Sequence, residues 1–192
     1  GGRFWAPETP FLDPFVAMGM ITAVTSTLRM GTGIALLAER DPIVTAKEVA
    51  TLDHCSGGRV SLGVGYGWNI EELENHGGSK ATRRAVVRER VLAMQALWAD
   101  EEASFDGEHV HLAPSWAWPK PVQTGRGRTG VPVLVGGAPG PLLFRHIAEF
   151  ADGWIPIGGA GVAAAMADLH EAGEKVGRDP SEFTVIPFGT LP

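Results

Sequence analysis

The sequence predicts an α/β protein built on a parallel β-sheet. Apolar runs of strand length alternate with helical patterns along the chain. The strands read as continuous apolar runs, as parallel strands covered on both faces do. Four strands close on glycine at the carboxyl end, at Gly33, Gly65, Gly136 and Gly158. Two architectures place ligands at that edge, the closed eight-stranded barrel and the open doubly wound sheet. The rhythm alone is compatible with either.

Residues 1–12, with Pro7 and Pro10, read as irregular. Asp13-Pro14 is a helix start: the aspartate caps free N–H groups, and proline suits the first helical position. This helix should run to about Ser26 and bury Phe15, Met18, Ile21 and Val24 or Thr25. Leu28–Leu37 reads as one buried strand containing Gly31 and Gly33. Asp41-Pro42 repeats the cap signal, and Ile43, Ala46, Val49 and Leu52 recur at helical spacing as far as Cys55. Gly57-Gly58 stops the helix.

The strand from Val60 ends in Gly63, Gly65 and Gly67, followed by Trp68 and Asn69. Glycines at every second position clear one face of a strand end, either for a flat ligand or for a tight turn. Asn69 can cap the helix that starts near Ile70. Residues 71–81 form a polar loop or short helix, and Arg83–Trp98 a long helix with Val87, Val91, Met94 and Leu97 inward. Asp106-Gly107 centres a hairpin at Ser104–Val110. Residues 113–130 read as one long loop, and Trp116 and Trp118 in it are expected to cover a ligand. Strands at Val131–Val135, Gly153–Ile157 and Phe183–Phe188 alternate with helices at Pro141–Phe150 and Val162–Val176.

At 192 residues the chain reads as one domain, and its net charge of −6 argues against nucleic-acid and anionic-membrane surfaces. Arg126 and Arg128 stand singly in a glycine loop. Gly1–Trp5 is not a secretory signal, and the apolar stretch Phe15–Val24 is too short to span a bilayer. The single cysteine, Cys55, excludes an internal disulfide and fits the cytoplasm; its helix position reads as core. Residues 63–67 depart from the dinucleotide fingerprint, and neither a phosphate-loop lysine nor a G-x-S-x-G elbow occurs. His109 and His111 alternate on a strand without a third ligand, so they read as a solvated face and no metal is expected. Glu71, Glu72 and Glu74 suit the positive end of a helix.

Several segments in order resemble the luciferase-like flavin monooxygenase superfamily, in its coenzyme F-420-dependent branch. They are Asp13–Ala17, Leu28–Gly33, Asp41-Pro42, Ala46–Asp53, Ser56–Arg59 and Leu62–Asn69. They continue through Leu97-Trp98, Phe105–His109, Pro119–Gln123, Val135–Gly137, Ala151–Trp154 and Gly177–Pro180. The resemblance implies a TIM-type (β/α)8 barrel. About five strands are present; the first two and the last are missing. It also implies flavin or deazaflavin at the carboxyl edge. The ring would lie near Gly33, Ile34, Val64, Gly65 and Asn69. Gly136, Gly137 and Ala138, with Gly158 and Gly159, would approach the phosphate-bearing tail. A non-prolyl cis peptide is implied at Gly33–Ile34. No catalytic residue carries over, because the missing strands supply polar groups facing the ring. The expected activity is hydride transfer between coenzyme F-420 and a small organic substrate. An FMN-dependent monooxygenase and a non-catalytic flavin-binding protein are the alternatives. A homodimer through the helices Pro14–Ser26 and Pro42–Cys55 is expected.

Overall fold

The computed structural model describes residues 6, 8–125 and 128–189. The readings for Gly1–Trp5, Pro7 and Arg126 fall outside them. Helix α1 (Pro14–Val24) leads to strands β1 (Met30–Gly31) and β2 (Ala35–Leu36) and a 3-10 turn (Leu37–Glu39). Then come α2 (Pro42–Ser56), β3 (Val60–Gly65), α3 (Ile70–Asn75) and α4 (Arg83–Ala99). A hairpin of β4 (Ala103–Asp106) and β5 (His111–Ser115) is followed by a small one, β6 (Thr124–Gly125) and β7 (Arg128–Thr129). The rest is β8 (Val133–Gly136), α5 (Pro141–Phe150), β9 (Gly153–Ile155), α6 (Val162–Glu174) and β10 (Thr184–Val185).

The parallel sheet runs β1–β3–β8–β9–β10, with β2 also pairing β3 further along. The expected strand Leu28–Leu37 is therefore one strand position in two pieces. Met30 and Gly31 pair with Val60 and Ser61, and Ala35 and Leu36 with Val64 and Gly65. Residues 32–34 bulge between them, and the Gly33–Ile34 peptide is cis, as the resemblance implied; Trp118–Pro119 is cis as well. The sheet is the curled half-barrel expected of an incomplete barrel. The curl brings Phe188, beyond β10, against Gly33 beside β1: a Cβ on Gly33 would lie 3.2 Å from the Phe188 ring.

The pleat sorts the strand residues. Val60, Leu62 and Val64 of β3, Val133 and Val135 of β8 and Trp154 of β9 are buried against the helices. Gly63 and Gly65 take the inner face, level with Leu134 and Gly136. On α4 the expected stripe Val87, Val91, Met94 and Leu97 is buried, and Trp98 donates to the Ala46 carbonyl of α2 at 3.0 Å. The caps form as read: the carboxylates of Asp13 and Asp41 accept first-turn N–H groups, and Gly57 ends α2 with φ of 67°.

Several readings change. Val24 and Ile43 are exposed, Val24 at the last residue of α1 and Ile43 in the first turn of α2, away from the buried Phe15–Met18 side of α1 and the buried Ala46–Val49–Leu52 side of α2. Cys55 is exposed, since it sits on the solvent side of the last turn of α2. Residues 113–130 are not one loop, for they contain the end of β5 and the β6–β7 hairpin. Only His111 lies on a strand, bonded to Asp106 at 2.7 Å. Among the described residues no cluster of His, Cys, Asp or Glu could hold a metal, and no helix is long and apolar enough to cross a membrane.

A candidate cofactor cleft at the carboxyl edge

A cleft of about 720 Å³ opens where the strands end. Its wall takes Gly33, Ile34 and Leu36 from the β1–β2 segment, Gly65–Trp68 from the end of β3 onward, and Gly136–Leu143 from the end of β8 into the first turn of α5. Ile155, Ile157 and Phe188 close the far side, and Arg83 and Arg84 enter from the start of α4. Its size falls in the range of small-molecule and cofactor pockets, about 300–1,000 Å³.

Of the residues read from the sequence, the cleft unites Gly33, Ile34, Gly65, Gly136, Gly137 and Ala138. Val64 lies elsewhere: the pleat turns it to the helix face, where it is fully buried. Asn69 stands outside the wall and caps α3, its Oδ1 accepting from the Glu72 N–H at 3.4 Å. Gly158 spends its N–H on the Phe188 carbonyl at 2.8 Å. Neither Gly158 nor Gly159 is in the wall. Trp116 and Trp118 do not reach the cleft. Their segment is held on the helix side of the sheet, where Lys47 on α2 donates to the Trp118 carbonyl.

The polar groups of the cleft are few. Nε and Nη1 of Arg83 are buried without a hydrogen-bond partner among the described residues. Such a group is costly unless an anion pairs with it. The first turn of α5 has Gly140 at its cap, and no side chain accepts from it; its free N–H groups suit an anion. The Arg84 guanidinium stands 5.7 Å from the Tyr66 ring centre. The Tyr66 hydroxyl meets His146 Nδ1 at 2.8 Å. Burial pushes Tyr66 up to about 12 and His146 below its ordinary range. Both are therefore neutral near pH 7, and the pair acts as a fixed hydrogen bond.

Sequence reading missed Arg83, Arg84 and Tyr66, and the apolar far side. One signal was available for the arginines. Two cations open a helix, where the dipole disfavours positive charge, so their place calls for another reason. No local signal marks Ile155 or Phe188, whose position depends on the curl of the sheet.

A family profile described as luciferase-like monooxygenase matches residues 2–191. An uncharacterized protein of Mycobacterium tuberculosis (strain ATCC 25618 / H37Rv) is 55% identical over 144 residues, covering 75% of this chain and 49% of the relative. The F420-dependent glucose-6-phosphate dehydrogenase of Nocardia farcinica is 30% identical over 170 residues, covering 84% of this chain and 48% of that protein. Among solved structures, an F420-dependent secondary alcohol dehydrogenase in complex with an F420-acetone adduct matches with a TM-score of 0.81. Its identity is 23%, and the match covers 95% of this chain and 56% of that one. The FMN-bound oxygenating constituent of 3,6-diketocamphane monooxygenase from Pseudomonas putida matches with a TM-score of 0.70. Its identity is 20%, and the match covers 90% and 51%. The chain spans about half the length of the curated relatives it matches. The resemblance read from the sequence is thus confirmed, and the chain belongs to the luciferase-like monooxygenase family.

Proposed function

We propose that the chain carries the cofactor cleft of an oxidoreductase that transfers hydride between coenzyme F-420 and a small organic substrate. The observation that carries this reading is that the unpaired Arg83 guanidinium and an uncapped helix start line the same apolar cleft. A flavin or deazaflavin has this shape, a flat ring joined to a phosphate-bearing tail. The residues present fit it. Arg83 and the first turn of α5 would take the phosphate, and Ile34, Trp68 and Phe188 would flank the ring. Bound there, the cofactor supplies hydride chemistry; the protein orients it and excludes water. The preference for F-420 rests on relatives whose names carry that cofactor.

Titration of the purified chain with coenzyme F-420 and with FMN, followed by fluorescence, tests this reading. Saturable quenching of F-420 at lower concentration than FMN is expected. Preference for FMN would favour a monooxygenase, in keeping with the FMN-bound neighbour. Saturable binding without turnover of any alcohol or sugar phosphate would favour a non-catalytic flavin-binding protein. Binding of neither would overturn the reading.

We further propose a cytoplasmic homodimer formed through α1 and α2. Val16, Met20 and Val24 recur every fourth residue as exposed apolar side chains on α1, and Ile43 and Val44 are exposed at the start of α2; exposed apolar surface of this kind suits an interface. A cooperative monomer of 20.3 kDa by light scattering would refute it.

A further inference from the structure

We propose that Gly65 and Gly136 form a socket for the side chain of Ile34, and that this socket sets the surface on which a cofactor ring rests. The proposal builds on the reading of the cleft as a flavin or deazaflavin site. The two glycines are neighbours, since Val64 pairs with Val135 one residue earlier. Leu36 lies beside Gly65, and Ile155 beside Gly136. The row Leu36–Gly65–Gly136–Ile155 on the inner face is therefore large, small, small, large. It makes a notch two residues wide.

Ile34 fills that notch. A Cβ on Gly65 would lie 2.1 Å from Ile34 Cδ1, and a Cβ on Gly136 would lie 2.8 Å from Ile34 Cγ2. Real Cβ contacts are essentially never so close, so a side chain at either position must displace Ile34, at Gly65 its terminal methyl and at Gly136 its branch methyl. The glycines thus do not face the ring directly. Their effect on binding runs through Ile34, which makes them positioning residues. A β-branched side chain suits this seat, because its two arms reach one glycine each and its stiff χ1 holds them there.

The two arms allow a test resolved to single methyl groups. Ile34→Val removes the Cδ1 methyl, the closest atom over Gly65, leaves Cγ1 at 3.0 Å from where a Gly65 Cβ would lie, and keeps the Cγ2 arm over Gly136. Six chains are compared by F-420 and FMN titration and by thermal melting: the parent, I34V, G65A, G136A, G65A/I34V and G136A/I34V. G65A should lower affinity about tenfold, and G65A/I34V should return to within about twofold of I34V alone, the behaviour of directly coupled neighbours. G136A should lose a similar factor and gain nothing from I34V. An equal loss from G65A in both backgrounds would mean that the new methyl meets the ring itself, which overturns the proposal. So would unchanged affinity in G65A, or coupling seen in melting alone. A parent that binds neither cofactor overturns the site reading and the positioning role with it. Relief of G65A by I34V in the melting midpoint would then still establish the socket.

Discussion

The two ends of the sheet differ in how completely their polar groups are bonded. At the amino edge, where strands begin, charged groups are bonded into the backbone. The Asp53 carboxylate, buried on α2, accepts from the N–H groups of Val122 and Gln123 and from the Gln123 side chain at 2.6–3.1 Å. Arg59 holds the carbonyls of Thr25, Leu28 and Ser56, and Asp152 takes the Val133 N–H. Arg178 caps the end of α5 through the carbonyls of Ile147, Ala148 and Ala151. Gln95 Oε1 and Arg178 Nη2 stay unpaired there, but on side chains otherwise bonded. At the carboxyl edge Arg90 is bonded likewise, to the Leu37 and Arg40 carbonyls at 2.6 and 2.8 Å with its Nε unpaired, but other groups there are not. Arg83 and Glu39 have buried polar atoms without partners. A charge left unpaired is costly unless a ligand answers it, whereas a charge bonded to several backbone groups locks a loop. The comparison separates scaffold from site, as expected of a barrel whose chemistry lies at the carboxyl ends of its strands.

Glu89 on α4 is the strongest scaffold case away from either edge. Its carboxylate accepts the N–H groups of Glu108, His109 and Val110 in the hairpin turn at 2.7–3.0 Å. Glu89→Ala should cost about 3 kcal/mol, because three backbone donors lose a charged acceptor in a buried place. Urea unfolding measures this, and cofactor affinity should stay within about twofold, a ratio that serves as the control. Burial raises the Glu89 carboxyl, but the three N–H groups outweigh it and leave it below its ordinary range. Its contribution is therefore full above the ordinary glutamate pKa and is lost as the pH falls through that value to the folded one.

Arg83→Met should show the opposite pattern. Affinity for FMN should fall about 10- to 100-fold, the worth of a charge-assisted phosphate contact, with stability unchanged or higher. Riboflavin, which lacks the phosphate, should bind parent and variant alike. An equal loss for both ligands would show that Arg83 does not meet phosphate.

Two smaller effects sharpen the boundary between the regions. Asn69→Ala should cost about 1 kcal/mol in unfolding, the value of an N-cap, because Asn69 closes α3. A loss of affinity well beyond that would place its side chain at the ring after all. Glu39 lies beside Gly67 and is pushed up by burial and then by Glu72, with His76 opposing. Its penalty is absent below the ordinary glutamate pKa and grows as the pH rises toward the folded value. Glu39→Gln should therefore raise the melting midpoint at pH 7 by about 1–3 °C, and the gain should vanish near pH 4.

Much of this was legible from local chemistry. Asp13-Pro14 and Asp41-Pro42 start their helices as read, because a cap and its free N–H groups lie within three residues of each other. Gly57 ends α2 for a similarly local reason. The α4 stripe followed from helical periodicity, and the parallel sheet from apolar runs between helices. The cleft residues Gly33, Ile34, Gly65, Gly136, Gly137 and Ala138 came from glycine-ended strands together with the family resemblance. The break at Gly33–Ile34 came only from the family resemblance; composition reads Leu28–Leu37 as one strand, since both halves pair with β3 and the bulge between them has no composition of its own.

The sequence by itself determined where the capped helices begin, how the strands alternate with helices, and which edge is rich in glycine. These depend on residues a few positions apart. Only the tertiary structure decided what fills the space those glycines leave. Ile34 reaches Gly65 and Gly136 from 31 and 102 positions away, counting along the numbering. Glu89 finds the hairpin turn 19 to 21 residues on, and Arg83 finds no partner at all among the described residues. Contacts at such separations are set by how the sheet curls and how the helices pack on it, and no short window of sequence contains that information.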